Sequence, residues 1–418
     1  MTAAESERAV EAVWRIEQAR LVAGLARMTG GDLGRAEDLA QDALLAALER
    51  WPRDGVPDNP GAWLMATAKN RAIDEIRRDR TLERKQEELV REAGLRIEHQ
   101  RAELDLAAEG EVGDDMLALI FTCCHPVLAR EARVALTLRL LGGLTAAEIA
   151  RAFLAKEATV AQRLVRAKKA LRDGGAGFEV PRGEELEERL PSVLEVIYLI
   201  FNEGYAASAG EDWIRPSLCE EALRLGRILA ELAPAEPEVQ GLIALLEIQA
   251  SRLPARLGPG GEPVLLLDQD RGRWDPLLIV RGRRALGRAE ALPRPLGPYG
   301  VQAAIAACHG AAITAEETDW VRIAALYGAL ASIAPSPVVE LNRAVAVGMA
   351  FSPELGLEVV DAVASDPALA GYHLLPSVRG NLLRRAGREQ EAQAEFRRAA
   401  GLAANEAERE LLLRRAGG

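Results

Sequence analysis

The chain has 418 residues, 49% of them hydrophobic and only 4% aromatic, and carries 52 Lys and Arg against 63 Asp and Glu, a net charge of −11. That length exceeds one helical domain and predicts two or three, and a composition led by Ala, Leu, Arg and Glu favours helix over strand, so an all-α fold is expected. Four cysteines (Cys123, Cys124, Cys219, Cys308) argue against a disulfide framework and fit a reducing cytoplasm, the polar start MTAAESERAVEAVWRIEQ does not read as a signal peptide, and no apolar run approaches the roughly 20 residues that span a bilayer, so no membrane partner is expected.

Residues 7–29 read as a first helix, broken at Gly30-Gly31-Asp32. A second starts near Leu33 and places Ala36, Leu39, Ala40, Ala43, Leu44, Ala47 and Leu48 on one stripe at helical spacing. PRDGVPDNP (52–60) is a turn-rich loop, followed by a third helix over 61–80 with Trp63, Leu64, Ala68 and Ile73 inward and a basic end. Residues 81–111 are polar, charged and weakly periodic, as suits a linker. A compact helical unit over 112–172 ends at the Gly/Pro boundary DGGAGFEVPRGEE (173–185). From there the chain is helical again, with interruptions at 254–276 and 293–298. Its last eighty residues carry a loose repeat: a helix pair over 337–364 turning at Phe351-Ser352-Pro353, and another over 374–400 turning at Gly387-Arg388, with Asn342 and Asn381 at comparable places. Small residues at packing positions and a period near 34–40 fit tetratricopeptide-like stacking, and generic helical hairpins fit as well.

Residues 145–172, TAAEIARAFLAKEATVAQRLVRAKKALR, read as a short amphipathic helix, a break near 154–156 and a second helix with a basic end. Thr145 and Glu148 have the spacing of a capping box. Ile149, Ala150 and Phe153 face inward, and Val160 and Leu164 anchor the second helix. From Arg151 to Arg172 there are seven basic residues and one acid, a positive island in an acidic protein. This is the layout of a helix-turn-helix, whose second helix enters the DNA major groove. Glu157, Thr159, Gln162, Arg163 and Arg166 fall on its exposed side, where Arg and Gln can read base edges, and Lys168, Lys169 and Arg172 suit phosphate contacts. The competing reading is a solvated basic face on an ordinary helix.

The blocks AEDLAQDALLAALERW (36–51) and PGAWLMATAKNRAIDEIRRDR (60–80), followed by this helix-turn-helix, together resemble the extracytoplasmic-function sigma factors of bacterial RNA polymerase. The pattern Trp63-Leu64, Asn70-Arg71, Ile73-Asp74, Ile76-Arg77-Arg78 is similar to that family's promoter-melting helix. The blocks IFTCCHPVLAREARVALTLRLLGGLTAAEIARAFL (120–154), IYLIFNEGYAAS (197–208), DQDRGRWD (268–275), QAAIAACH (302–309), Thr318-Asp319-Trp320 and SPVVELNRAVAV (336–347) resemble one subgroup with a long C-terminal extension.

The resemblance implies a sigma2-type domain over 1–80, a linker over 81–111, a sigma4-type helix-turn-helix domain over 112–175 and a tetratricopeptide-like extension over 186–418. It implies that Asp38, Gln41 and Asp42 meet core RNA polymerase. Asn70, Arg71, Asp74, Arg77 and Arg78 would act at the −10 element, on duplex promoter DNA and then on the melted non-template strand. The helix-turn-helix would read the −35 element. Such a protein makes no covalent bonds and requires no catalytic residue, cofactor or metal. Its extension would regulate activity or bind a protein or small-molecule partner. A ligand-responsive helix-turn-helix regulator that never joins polymerase is the alternative, and the 36–80 blocks argue against it. An enzyme fused to a DNA-binding module has no nucleophile–base pair, phosphate loop or metal motif to support it.

Cys123-Cys124-His125 has ligands too close in sequence for tetrahedral zinc and reads better as buried small hydrophobes, as does the Cys308-His309 pair. Asp268-Gln269-Asp270-Arg271 could hold a ligand or clamp the array through ion pairs. With Asn202, Glu203, Tyr205 and the Asp212-Trp213 pair it outlines a polar pocket, the first place to seek a small molecule.

Overall fold

A computed structural model describes residues 3–74, 112–153, 155–207 and 213–417. The chain is all-α, with no strand among the described residues. It divides into two compact units, residues 1–151 with 155–196, and residues 152–154 with 197–418.

In the first unit, α1 (Ala3–Met28) and α2 (Leu33–Asp54) form an antiparallel pair. The break between them is local chemistry. Gly30 and Gly31 take φ of 66° and 88°, where side chains are strained, and Asp32 then caps α2 by accepting from the Gly34 and Arg35 amides. Residues 60–74 form α3, whose Leu64 and Ala68 are buried, and Trp63 meets the buried Trp51 edge-on at 5.5 Å. The apolar stripe of α2 is rotated from its expected place. Leu48 is 38% exposed and Leu44 half-buried, while Ala46 and the charged Glu37 are buried. Glu37 can join the buried face because its carboxylate pairs with cations on two other helices, Arg139 and Lys168.

The same unit contains α4 (Val112–Cys123), α5 (Arg130–Leu140), α6 (Ala146–Ala152) and α7 (Glu157–Asp173). Its last element is the first part of α8 (Glu184–Tyr205). Arg189 donates to the Phe121 carbonyl at 3.0 Å, and Ser192 donates to the Cys124 carbonyl at 2.6 Å. Residues 184–196 therefore pack with the helix-turn-helix segment, although the sequence expectation begins the extension at 186.

The second unit continues through α9 (Pro216–Leu232), α10 (Pro237–Ala250), α11 (Pro276–Ala291), α12 (Pro298–Ala311) and α13 (Trp320–Ile333). It ends with α14 (Pro337–Ala350), α15 (Pro353–Val363), α16 (Leu374–Arg385), α17 (Glu389–Leu402) and α18 (Glu406–Arg415). Six of these helices start with Pro, which presets φ where the amide has no helical partner. Consecutive helices pack as hairpins, and α10, buried nearly all round, lies against α9, α11 and α12. The α14–α15 and α16–α17 pairs turn where the sequence repeat predicts. The expected equivalence of Asn342 and Asn381 does not extend to their surroundings. Asn342 is exposed, whereas Asn381 is half-buried, donates to the Ser377 carbonyl and accepts from Arg415.

Candidate nucleic-acid interface

Thr145 and Glu148 form both halves of the capping box. The Thr145 amide donates to the Glu148 carboxylate at 2.8 Å, and the Glu148 amide donates to Thr145 Oγ1 at 3.2 Å. That fixes the start of α6. After the turn, α7 buries Val160, Leu164, Ala167 and Leu171, one residue per turn, and packs on α5. The opposite side leaves Glu157, Thr159, Gln162 and Arg166 exposed and Arg163 half-buried, the row expected from sequence to meet base edges, and Lys169, expected to hold phosphate, is exposed as well. The flat carboxamide of Gln162 and the guanidinium of Arg166 are one turn apart on a rigid helix.

Two cations at the far end of α7 are already engaged. Lys168 donates to Glu37 Oε2 at 2.9 Å, and Arg172 lies 3.4 Å from Asp32 Oδ2. Glu37 also accepts from Arg139 Nε at 2.6 Å and from Gln41 at 3.1 Å. Burial acts to raise the Glu37 carboxyl, but the Arg139 and Lys168 charges prevail and hold it below its ordinary value. Further ties join the same two parts of this unit: Arg27 pairs with Asp115, and Gln18 donates to the Arg139 carbonyl at 3.1 Å. The signal for this joint was present in the sequence as an acid, Glu37, directly after Ala36 of the apolar stripe.

Of the residues expected to meet polymerase, Asp38 is exposed and Gln41 and Asp42 are half-buried. Partial burial, and then the charges of Glu37, Asp32 and Asp42, raise the Asp38 carboxyl against the pull of Lys168. Asp42 forms an ion pair with Arg71 at 2.8 Å, so two residues assigned to different tasks hold α2 to α3. Asn70 and Asp74 are exposed on α3, and Arg77 and Arg78 lie outside the described residues.

The polar residues singled out in the C-terminal part do not gather into one pocket. Glu203 pairs with Arg215, and Asn202 is half-buried beside it in α8. Asp268 and Asp270 are exposed, and Asp270 accepts from the Gly272 amide within its own loop. Arg271 is a clamp: it donates to the His309 and Ala312 carbonyls at 2.8 and 2.9 Å and to Thr318 Oγ1 at 2.8 Å. Asp212 lies outside the described residues. Tyr205 instead stacks on Arg256, a residue the sequence did not draw attention to.

Cys123 and Cys124 are buried, and burial pushes the Cys124 thiol up to about 12, which removes its thiolate at neutral pH. Among the described residues no group of three or more His, Cys, Asp or Glu side chains is arranged to hold a metal ion.

Residues 16–81 match the family model for sigma-70 region 2, residues 118–171 that for sigma-70 region 4, and residues 189–290 that of a family of unknown function, DUF6596. The chain is 44% identical over 378 residues to an uncharacterized protein, R00370, of Rhizobium meliloti (strain 1021), covering 90% of this chain and 88% of that protein. No solved structure matches.

Proposed function

The chain belongs to the sigma-70 family, as a member with regions 2 and 4 followed by a long C-terminal extension, and from that premise we propose how its residues divide the work of transcription initiation. Asp38, Gln41 and Asp42 on α2 engage core RNA polymerase. Asn70, Arg71, Asp74, Arg77 and Arg78 act at the −10 element, where strand opening requires a cationic track for the backbone and places for unstacked bases. The α6–α7 pair reads the −35 element through Thr159, Gln162, Arg163 and Arg166, with Glu157 at the helix start. Lys168, Lys169 and Arg172 hold phosphates. The protein works in the cytoplasm by binding alone, and its C-terminal unit regulates that activity.

The observation that carries this reading is the pairing of Glu37 and Asp32 on α2 with Lys168 and Arg172 on α7. A DNA-facing helix and a polymerase-facing helix neutralise each other in the free protein. Polymerase and promoter must separate them, which couples promoter binding to polymerase binding. Run-off transcription with purified core polymerase tests the assignment, comparing the full chain with a chain ending at Val196, the last residue of the first unit. Transcripts from the full chain alone would make the extension an activator. Transcripts from the shorter chain alone would make it an inhibitor. No transcript and no polymerase binding from either would move the protein to the DNA-binding regulators that act without joining polymerase.

A further inference from the structure

Where α10 ends, a 3-10 turn over Leu253–Ala255 places Arg252 and Arg256 on one side of the chain, four residues apart. Both are buried, at 4% and 8% exposure. Aromatic rings cover their flat faces: Arg252 lies 5.3 Å from the Trp274 ring centroid, and Arg256 lies 3.9 Å from that of Tyr205 and 5.3 Å from that of Trp213. Arg271 approaches the same Trp274 ring at 4.9 Å, so two cations share one aromatic partner.

Among the described residues, no carboxylate forms an ion pair with any of these three arginines. Arg252 Nε and Nη2, which form one edge of the guanidinium, have no hydrogen-bond partner, and neither do Arg256 Nε and Arg271 Nε. Gln269 Oε1, His309 Nδ1 and the indole nitrogens of Trp213 and Trp274 are buried without partners in the same unit. Burial lowers the Arg252 guanidinium and the charge of Arg256 adds to it, while Tyr205 and Tyr327 act in the opposite sense and no carboxylate does. A buried guanidinium with a free edge is costly unless an anion reaches it, and a bidentate oxyanion has the matching geometry.

We propose that the C-terminal unit binds a small oxyanion, a carboxylate or phosphate compound, on the free edge of Arg252, with Arg256 and Arg271 supplying the surrounding positive charge. The aromatic rings close the faces of the guanidiniums and leave only their edges for the ligand. Tyr205, Trp213 and Arg271 are half-buried and form the most accessible side of the cluster. The site belongs to the second unit alone and stands independently of the promoter assignments above.

The test uses the full chain, titrated with inorganic phosphate and separately with malonate at constant ionic strength made up with chloride. Tryptophan fluorescence reports the site through Trp213 and Trp274, and thermal melting reports linkage to folding. Expected is a saturable response to at least one anion, which identifies phosphate or carboxylate as the recognised group. Arg252→Met should abolish that response and melt higher than the native chain in chloride, because it removes an uncompensated buried charge. Arg252→Lys keeps the charge but loses the fork, and should bind at least tenfold more weakly. No saturable response to either anion, a response unchanged in Arg252→Lys, or an Arg252→Met protein less stable than the native chain in chloride would each overturn the site.

Discussion

Glu37 and Lys168, 131 positions apart, meet at 2.9 Å, with Arg139 at 2.6 Å on the other oxygen of the same carboxylate. The Glu37 side chain is 6% exposed and its two partners about a quarter exposed, so the joint is far better shielded from water and salt than a surface pair. It holds one cation of α7, the helix proposed to face DNA, against α2, the helix proposed to face polymerase.

Replacing Glu37 with Gln keeps the shape and removes the charge. Arg139 and Lys168 are then left partly buried without an anion, which costs about 1–2 kcal/mol of first-unit stability after allowance for their exposure. Lys168 is released for phosphate, so affinity for duplex promoter DNA at low salt should rise several-fold. Denaturant unfolding and fluorescence anisotropy with a labelled duplex measure the two effects. A variant that loses stability without gaining DNA affinity would mean that Lys168 serves only to hold the fold.

The same carboxylate sets a pH dependence. Its folded value lies below the ordinary 4.5, so its contribution is complete above pH 4.5 and is lost as pH falls through the lowered folded value. Asp32 acts in the same sense: burial raises it, but the Arg35 and Gly34 amides and Arg172 bring it down. Energy transfer between dyes on the exposed Glu49 and Lys169 should therefore be constant from neutral pH down to about 5 and fall below about 4, where carboxylates protonate. The fall should be shallower in Glu37→Gln. Separation on raising the pH from neutrality would contradict the assignment.

Lys169 is exposed beside the engaged Lys168, which separates the two in effect. Lys169→Ala should weaken promoter binding and reduce the slope of log affinity against log salt by about 0.9, the share of one phosphate contact, with unchanged sequence preference. Binding to a promoter panel at several salt concentrations checks this. An altered preference would place Lys169 among the residues that read bases.

Local chemistry was legible in the sequence. The capping box of Thr145 and Glu148, the glycine break before Asp32 and the turn at Phe351-Ser352-Pro353 each depend on neighbours within a few residues, and each forms as the residues dictate. What was not legible depends on distant partners. Periodicity marks an apolar face, but it could not show that Glu37 belongs to that face, because Arg139 and Lys168 lie over a hundred residues away. Nor could it show that Arg252 and Arg256 are buried, since arginines just past a helix end ordinarily read as solvated. The polar pocket expected from Asn202, Glu203, Tyr205, Asp268, Asp270 and Arg271 dissolved for a related reason. Loop residues close in sequence satisfied one another or clamped a different helix, and only Tyr205 and Arg271 reached a common cluster.

His309 offers a pH test of the second unit. Burial, then the charges of Arg252 and Arg271, push its imidazole from 6.5 down to about 3, and its ring meets Trp320 edge-on at 5.2 Å. The unfolded chain takes up a proton below pH 6.5 and the folded one does not, so stability is greatest above 6.5 and declines as pH falls toward 3. Melting of the second-unit transition should drop between pH 7.5 and 5, and His309→Gln should flatten that drop. An anion on Arg252 would offset the charge facing His309, so saturating phosphate or malonate should also flatten it. A second unit that gained stability on acidification would reverse the sign and reject the neutral histidine.

Two glycines separate helix propensity from helix packing. A Cβ on Gly241 of α10 would lie 2.6 Å from the Gly300 amide nitrogen of α12, where the two backbones touch, whereas a Cβ on Gly287 of α11 would meet nothing within 4 Å. Both sit inside helices, so Ala gains up to about 1 kcal/mol of propensity at either place. At Gly287 nothing opposes that gain, and Gly287→Ala should stabilise. At Gly241 backbone atoms stand in the way and cannot rotate aside, so an overpacking cost of about 1–3 kcal/mol exceeds the gain, and Gly241→Ala should destabilise. Denaturant unfolding of the full chain with each variant gives both signs. Opposite signs place the close α10–α12 approach at the centre of the array, and a shared stabilisation would mean that these helices can slide apart without penalty.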